Sequence, residues 1–261
     1  MKPLLLIAMI AGSAVRGIGQ VSSPDAAHPF AADLLLGAST IREGGTWRSA
    51  DLVVTDTVPH TVGYLFLHRS TRPEGSGGYL GIAATHDWTS RFFTYAAAGG
   101  SPSHVSFLPA NRFDVEADWK AIQTRLVLAV GATTARYSEH RRDDVFSAGL
   151  TYYYAPLIIT YRFFRNTSAP GAVRSQAQLA QVAMERSGNL SAYLRRSWGV
   201  EAYQLTNIVI PQNVRVSGNT TTALVRKWTT SRAGLDAEIE RQAKGSDFRR
   251  LGVRLGVFYT F

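Results

Sequence analysis

The sequence predicts an all-β chain: a transmembrane, antiparallel, up-and-down β-barrel of about fourteen strands behind an amino-terminal signal peptide. Three observations predict it. In the closing segment, RLGVRLGVFYTF, Leu251, Val253, Leu255, Val257, Tyr259 and Phe261 share one parity. Arg250, Gly252, Arg254, Gly256 and Thr260 share the other, with Phe258 the exception. Side chains alternate across a strand, so this strand has an apolar face and a polar, arginine-bearing face. Second, the connections between candidate strands alternate between long and tight, as in outer-membrane barrels. Third, 45% of residues are hydrophobic, yet the mean hydropathy is near zero. After the first 20 residues no apolar run approaches the ~20 residues a helical span needs, whereas alternating strands hide their apolar residues in such an average.

The elements follow in order. Residues 1–19 read as a secretory signal: Lys2, an apolar core (PLLLIAMIAG), then small residues. Cleavage is expected after Gly19, with a site near Ala27 as the second option, and a buried amino-terminal helix is the alternative reading. Residues 20–30 form a flexible lead-in, and 31–261 the barrel. Candidate strands cover 31–41, 46–56, 60–69, 77–88, 90–98, 110–120, 122–135, 144–154, 156–166, 173–186, 189–200, 213–228, 231–242 and 249–261. The longer, polar connections are 42–45, 70–76, 99–109, 136–143, 167–172, 201–212 and 243–248. The tight ones are 57–59, 89, 121, 155, 187–188 and 229–230. An even count puts both termini on the periplasmic side; twelve strands is the alternative, because one hairpin is easily miscounted.

Alternation assigns the faces. In the sixth strand Phe113, Val115, Ala117 and Trp119 oppose Asp114, Glu116, Asp118 and Lys120. In the ninth, Leu157, Ile159, Tyr161 and Phe163 oppose Thr160 and Arg162. In the thirteenth, Ala233, Leu235, Ala237 and Ile239 oppose Arg232, Asp236, Glu238 and Glu240, although this stretch also fits an amphipathic helix. A mid-membrane charge facing lipid costs about 2–4 kcal/mol, so the charged faces are expected to line a polar lumen. Expected lumen residues are Asp114, Glu116, Asp118, Lys120, Arg125, Arg162, Arg232, Asp236, Glu238, Glu240, Arg250 and Arg254. Asp236, Glu238 and Glu240 would face Arg250 and Arg254, and Asp114, Glu116 and Asp118 would face Gln123 and Arg125. Trp88, Trp119, Trp228 and Tyr152, Tyr153 and Tyr154 fall beside tight turns, as a periplasmic aromatic belt; Trp47 and Trp198 fall where the outer belt would lie.

Composition excludes several classes. With no cysteine there is no disulfide scaffold, thiolate metal site, Cys nucleophile or lipoprotein anchor. Removing Lys2 and Arg16 with the signal takes the +9 formal charge to +7. The arginines are spread without a basic helix or finger motif, so anionic lipopolysaccharide or an anionic solute is the expected partner rather than nucleic acid. No cofactor or metal is expected. Ser138, Glu139 and His140 with Asp143 and Asp144 make a charged loop. The Ser–His neighbours Ser103/His104, His68/Ser70 and Ser138/His140 lack an esterase context, so no enzymatic activity is expected; Ser103/His104 reads as a loop element that folds back or binds a solute. The sequons at Asn166 and Asn219 carry no meaning in a bacterial envelope protein.

Specific segments carry a family resemblance. They are Ser101-Pro102-Ser103-His104 with Phe107-Leu108-Pro109; Gly149-Leu150-Thr151-Tyr152-Tyr153 with Leu157-Ile158-Ile159-Thr160-Tyr161; and Arg249-Arg250-Leu251-Gly252-Val253-Arg254-Leu255-Gly256 with Tyr259-Thr260-Phe261. Together they resemble the YaiO family of outer-membrane β-barrel proteins. The resemblance implies a barrel in the bacterial outer membrane. Some members carry an amino-terminal helical-repeat region and occur in polysaccharide-related contexts. This length leaves no room for such a region, so an export role is expected to need a separate periplasmic partner. Tyr259 and Phe261 are expected to be the signal read by the barrel assembly machinery. The functional expectation is porin-like or export-associated passage of a polar solute or glycan. The alternatives are a structural or surface-interaction barrel with a blocked lumen, and an outer-membrane lipid-modifying enzyme.

Overall fold

A computed structural model describes residues 30–261 except 43–44, 104, 124, 139, 187–188, 205–212 and 247, and only the backbone of 201–204 and 213–216. The expected signal peptide and all but the last residue of the lead-in lie outside the described residues. Fourteen strands form one closed antiparallel barrel in sequence order. They are β1 (Phe30–Ile41), β2 (Gly45–Val58), β3 (Thr61–Arg72), β4 (Gly75–Asp87), β5 (Phe92–Gly100), β6 (Asn111–Ile122), β7 (Leu126–Arg136), β8 (Arg142–Tyr154), β9 (Leu157–Ala169), β10 (Val173–Arg186), β11 (Leu190–Gln204), β12 (Asn213–Trp228), β13 (Ala233–Lys244) and β14 (Phe248–Thr260). β14 closes on β1 in unbroken register from Ala31↔Thr260 to Ile41↔Arg250. β13, whose sequence also fits a helix, is a strand paired along its length with β12 and β14.

Alternation decides which side chain meets lipid. Leu255 is 62% exposed and Ile82 61%, on the outward parity of their strands, while Asp236 is 3% and Glu238 5% exposed on the inward parity. A continuous apolar outer surface of this kind is stable only in lipid, and lipid demands that no backbone edge be left open. A strand needs about 9–11 residues to cross a bilayer. Here strands run from 9 residues in β5 to 16 in β12, so most protrude.

That protrusion corrects the expected loops. The 70–76 connection shrinks to 73–74, because Thr71 pairs Ser76 and Arg72 pairs Gly75. The 167–172 connection shrinks to 170–172, because β9 continues to Ala169. Beyond the bilayer both faces of a strand are wetted, so polar residues there read as loop. Long connections remain at 101–110 and 137–141 on the end away from the termini, whereas terminal-side turns span two to four residues. Short periplasmic turns and longer external loops orient the barrel with its termini in the periplasm.

The aromatic placement is corrected too. Trp88, Trp119 and Tyr154 are exposed at the terminal end, as a belt requires. Tyr153 and Trp228 have inward parity, between outward neighbours. Trp228 packs edge-on against Phe258 with centroids 5.0 Å apart. Trp47 points inward and is 4% exposed in the outer mouth, so it does not belong to an outer belt; Trp198 has outward parity.

The carboxyl-terminal residue takes part in closure. The Phe261 N–H donates to Phe30 O at 2.8 Å, and the two rings lie 5.1 Å apart. Phe261→Ser is expected to lower the amount of heat-modifiable barrel recovered in cell envelopes while leaving refolding in detergent intact. Equal loss in both settings would make Phe261 a stability residue and not an assembly signal.

Candidate functional site

Parity carries ten of the twelve expected lumen residues inward: Asp114, Glu116, Asp118, Lys120, Arg162, Asp236, Glu238, Glu240, Arg250 and Arg254. Arg125 and Arg232 do not reach the wall. They sit in the exposed turns after β6 and β12, because β7 and β13 begin only at Leu126 and Ala233, later than expected.

The partners differ in part from the expected ones. Glu238 and Arg254 are register partners, and Arg254 Nε donates to Glu238 Oε1 at 2.8 Å. Arg250 pairs with Glu240. Asp236 instead takes a two-pronged bond from Arg226 on β12, at 2.8 and 2.9 Å. On the other wall, Asp114 is gripped by Arg112 at 2.8 Å and by the Thr133 hydroxyl at 2.6 Å. Glu116 pairs with Arg162 of β9, three strands away, with Nη2 to Oε1 at 3.0 Å. Gln123 and Arg125 take no part in these bonds, because both lie in the turn.

Three long guanidinium reaches brace the barrel. Arg162 crosses β8 and β7 to Glu116. Arg226 reaches past β13 and β14 to Asp33 on β1. Arg254 crosses β1 to Asp51 on β2, at 3.5 Å. The last two span the seam where the first and last strands meet. Two of these reaches pass over a glycine of the strand they cross. At Gly37 on β1 a Cβ would lie 2.7 Å from Arg254 Cγ, and at Gly149 on β8 it would lie 2.7 Å from Arg162 Cγ.

The residues that sequence reasoning missed are mostly partners in these pairs: Asp33, Asp51, His68, Arg112, Tyr193 and Arg226. His68 Nδ1 is 2.6 Å from Asp51 Oδ1, and Tyr193 OH donates to Glu238 Oε2 at 3.0 Å. Parity would have found Asp33 and Asp51. No sequence signal gives pairs that skip strands.

Hydration is uneven around the wall. On β10–β13, Leu179, Thr222, Leu224 and Asp236 are each at most 3% exposed. The side chains of Asp51, His68 and Arg254 keep 20%, 30% and 31%. Beside them the rings of Tyr64 and Phe66 stack 5.9 Å apart. At the terminal end, Phe258 is buried against Trp228 beneath the Arg226 guanidinium, 4.3 Å from the ring centroid.

The outer mouth is narrowed by the 101–110 loop, which bends inward. Phe107 and Leu108 pack with Ile41 and Trp47. Arg72 lies between the Trp47 and Phe107 rings, 4.1 Å from each centroid. Ser101 N–H donates to Pro109 O at 2.9 Å, and Ser103 Oγ accepts the Gly78 N–H at 3.2 Å. Ser103 thereby anchors the loop. Pro102 is exposed and Pro109 buried, while His104 lies outside the described residues. Gly77 makes room for the loop, since a Cβ there would meet Val105 at 2.6 Å. Arg141, from the neighbouring loop, donates to Ser106 O at 3.0 Å and stacks on Tyr137.

Burial, with Asp143 close by, pushes the Tyr137 hydroxyl up to about 12, against the pull of Arg141 and Arg112. A tyrosine held protonated by the fold stabilises it below the ordinary pKa near 10, and that contribution is lost as pH rises from about 10 to 12. Absorbance titrations of the wild type and Tyr137→Phe should therefore differ by one tyrosine ionising near pH 12. At the Arg162–Glu116 pair, Glu116→Gln removes the carboxylate bonded to the buried guanidinium, at an expected cost of about 3–5 kcal/mol in urea unfolding from lipid vesicles; Arg162→Met/Glu116→Leu should cost less. A double variant as unstable as the single one would remove the ion pair from the account.

The architecture resembles that of known barrels. A bacterial polysaccharide outer membrane secretin aligns with a TM-score of 0.55 at 10% identity, over 91% of this chain and 100% of that one. The CymD monoaromatic hydrocarbon channel aligns at 0.58 and 6%, over 89% and 88%. OccK7 of Pseudomonas aeruginosa aligns at 0.54 and 9%, over 89% and 97%. At these identities the likeness is one of fold. No curated protein sequence matches the chain. The family model of the YaiO membrane beta barrel domain matches residues 42–204, from the first hairpin through β11 and more than half of the chain. The chain therefore belongs to the YaiO membrane beta barrel family, and its place is the bacterial outer membrane.

Proposed function

We propose that this barrel is a narrow, porin-like channel for a polar solute, with a glycan as the class its wall suits best. The observation that carries this reading is the partly hydrated strip of Asp51, His68 and Arg254. Charged groups that stay wet inside a barrel can exchange water for the hydroxyls or charges of a passing solute. The stacked Tyr64 and Phe66 rings beside the strip offer an apolar face of the kind a sugar ring can slide over. The inward-bent 101–110 loop sets the size of what enters. A polysaccharide secretin and a hydrocarbon channel of the same fold are in keeping with passage through the lumen. For export, a separate periplasmic protein would deliver the glycan to the terminal end. A second reading is a sealed barrel acting through its loops; it is favoured by the dry β10–β13 wall and by the Phe258–Trp228–Arg226 packing at the terminal end.

Single-channel recording in planar bilayers separates the two. Discrete openings are expected for the wild type. Arg254→Ala strips Glu238 and Asp51 of their countercharge and should shift the channel towards cations. Phe107→Ala/Leu108→Ala should raise conductance by loosening the mouth. A folded barrel that stays silent in all three forms would eliminate the channel and leave the sealed barrel.

A further inference from the structure

The inner face pairs carboxylates with arginines, whereas the outer face is almost wholly basic. Among the described strand side chains, only the carboxylates of Asp56 and Asp144 have outward parity. Asp56 lies near the terminal end of β2. Asp144 is tied to Arg142 at 2.9 Å and accepts from the Thr134 hydroxyl at 2.8 Å. Most outward arginines, by contrast, lie towards the external rim, where Arg136, Arg142, Arg165, Arg174, Arg241 and Arg249 are all exposed; Arg186 and Arg196 sit lower. The protein's positive balance is thus displayed where outer-leaflet head groups lie.

One part of this rim is shaped. On the lipid-facing surface a furrow runs between Phe113 and Val115 of β6 and Phe146 of β8. Its floor is β7, where Ala132, Thr133 and Thr134 line it, and Asp144 of β8, held by Arg142 and Thr134, stands at its outer end. Arg165 of β9 borders it, in register with Phe146. Below Arg165 the outward residues of β9 are Leu157, Ile159, Tyr161 and Phe163, so Arg165 is the first polar position above the apolar band. Arg174 of β10 is its diagonal neighbour, since Gln176 is the direct partner of Arg165; that spacing is about 7–8 Å. Neither Arg165 nor Arg174 has a carboxylate partner among the described residues.

We infer that this furrow is a binding site for a phosphorylated, multiply acylated lipid of the outer leaflet, one acyl chain lying along Ala132 between Phe113 and Phe146, with a phosphate held by Arg165 and Arg174. Guanidinium forks match phosphate oxygens in two-pronged, charge-assisted bonds. An arginine at the edge of the hydrocarbon can reach the head-group layer while its stem stays in the apolar band. The inference rests on the barrel's orientation in the outer membrane and not on conduction through the lumen.

The test uses the refolded protein in detergent micelles with lipid A, dephosphorylated lipid A or phosphatidylglycerol as probe, and reads bound lipid per barrel by native mass spectrometry. Wild type should retain lipid A and lose it without the phosphates. Arg165→Gln/Arg174→Gln should weaken retention roughly tenfold or more. Ala132→Phe, which fills the furrow and leaves the charge unchanged, should weaken it as well. Arg249→Gln, on β14 and away from the furrow, should not. Heat-dependent gel mobility verifies the fold of each variant. Unchanged retention in either furrow variant, equal loss in Arg249→Gln, or equal retention of phosphatidylglycerol would overturn the site.

Discussion

A bilayer core offers no water to a peptide group, and everything else in this molecule follows from that constraint. Every N–H and C=O at membrane depth must find a partner within the chain, so the sheet has to close. Closure fixes the register of β14 on β1, and register fixes parity. Parity then sends Leu251, Val253, Leu255 and Val257 to lipid and Arg250 and Arg254 to the lumen from a single strand. A slip of one residue would exchange the two sets.

Inside, the problem is reversed: a narrow space must hold many charges. Burying an ion costs more than a lone partner returns, and buried pairs add specificity more readily than stability. Here the charges are held in pairs and forks, several reaching over a neighbouring strand. The wall is correspondingly divided. Where pairs and small apolar groups fill the space, on β10–β13, little water enters. Where Gly37 leaves room for Arg254, the Asp51–His68–Arg254 strip keeps contact with water. The 101–110 loop turns its apolar residues to the mouth because Ile41 and Trp47 already present an apolar rim there.

The architecture was legible because its signal is local. Period-two alternation in segments such as Phe113–Trp119 and Leu251–Phe261 identifies both strand and face. The faces of Asp114, Glu116, Asp118 and Arg162 therefore followed from their own neighbours. What was illegible is non-local or lies beyond the membrane. Residues 70–76 and 167–172 read as loops because strands wetted on both faces lose their alternation. Trp228 and Trp47 read as belt residues because proximity to a turn gives depth but not direction. The Arg226–Asp33 and Arg162–Glu116 pairs were invisible because they depend on how far the wall curves, which no single strand encodes. Arg125 and Arg232 failed by one or two residues at strand ends, the least determined part of any sequence reading.

The guanidinium reaches across the seam also bear on how the chain comes to be a cylinder. Asp33 and Asp51 enter with the first strands made, and Arg226 and Arg254 with the last. Until the ends meet, each holds half of a lock: two carboxylates on one margin, two cations on the other. Arg254 already has Glu238 beside it, and Arg226 has Asp236, so the late margin arrives with its cations oriented. The early margin gains its full complement only when the sheet rolls shut. Closure in the correct register thus completes the charge pattern of the amino-terminal strands, and a misaligned ring would leave Asp33 without Arg226 and Asp51 with His68 alone. The register of the seam is thus marked by charge pairs as well as by backbone hydrogen bonds.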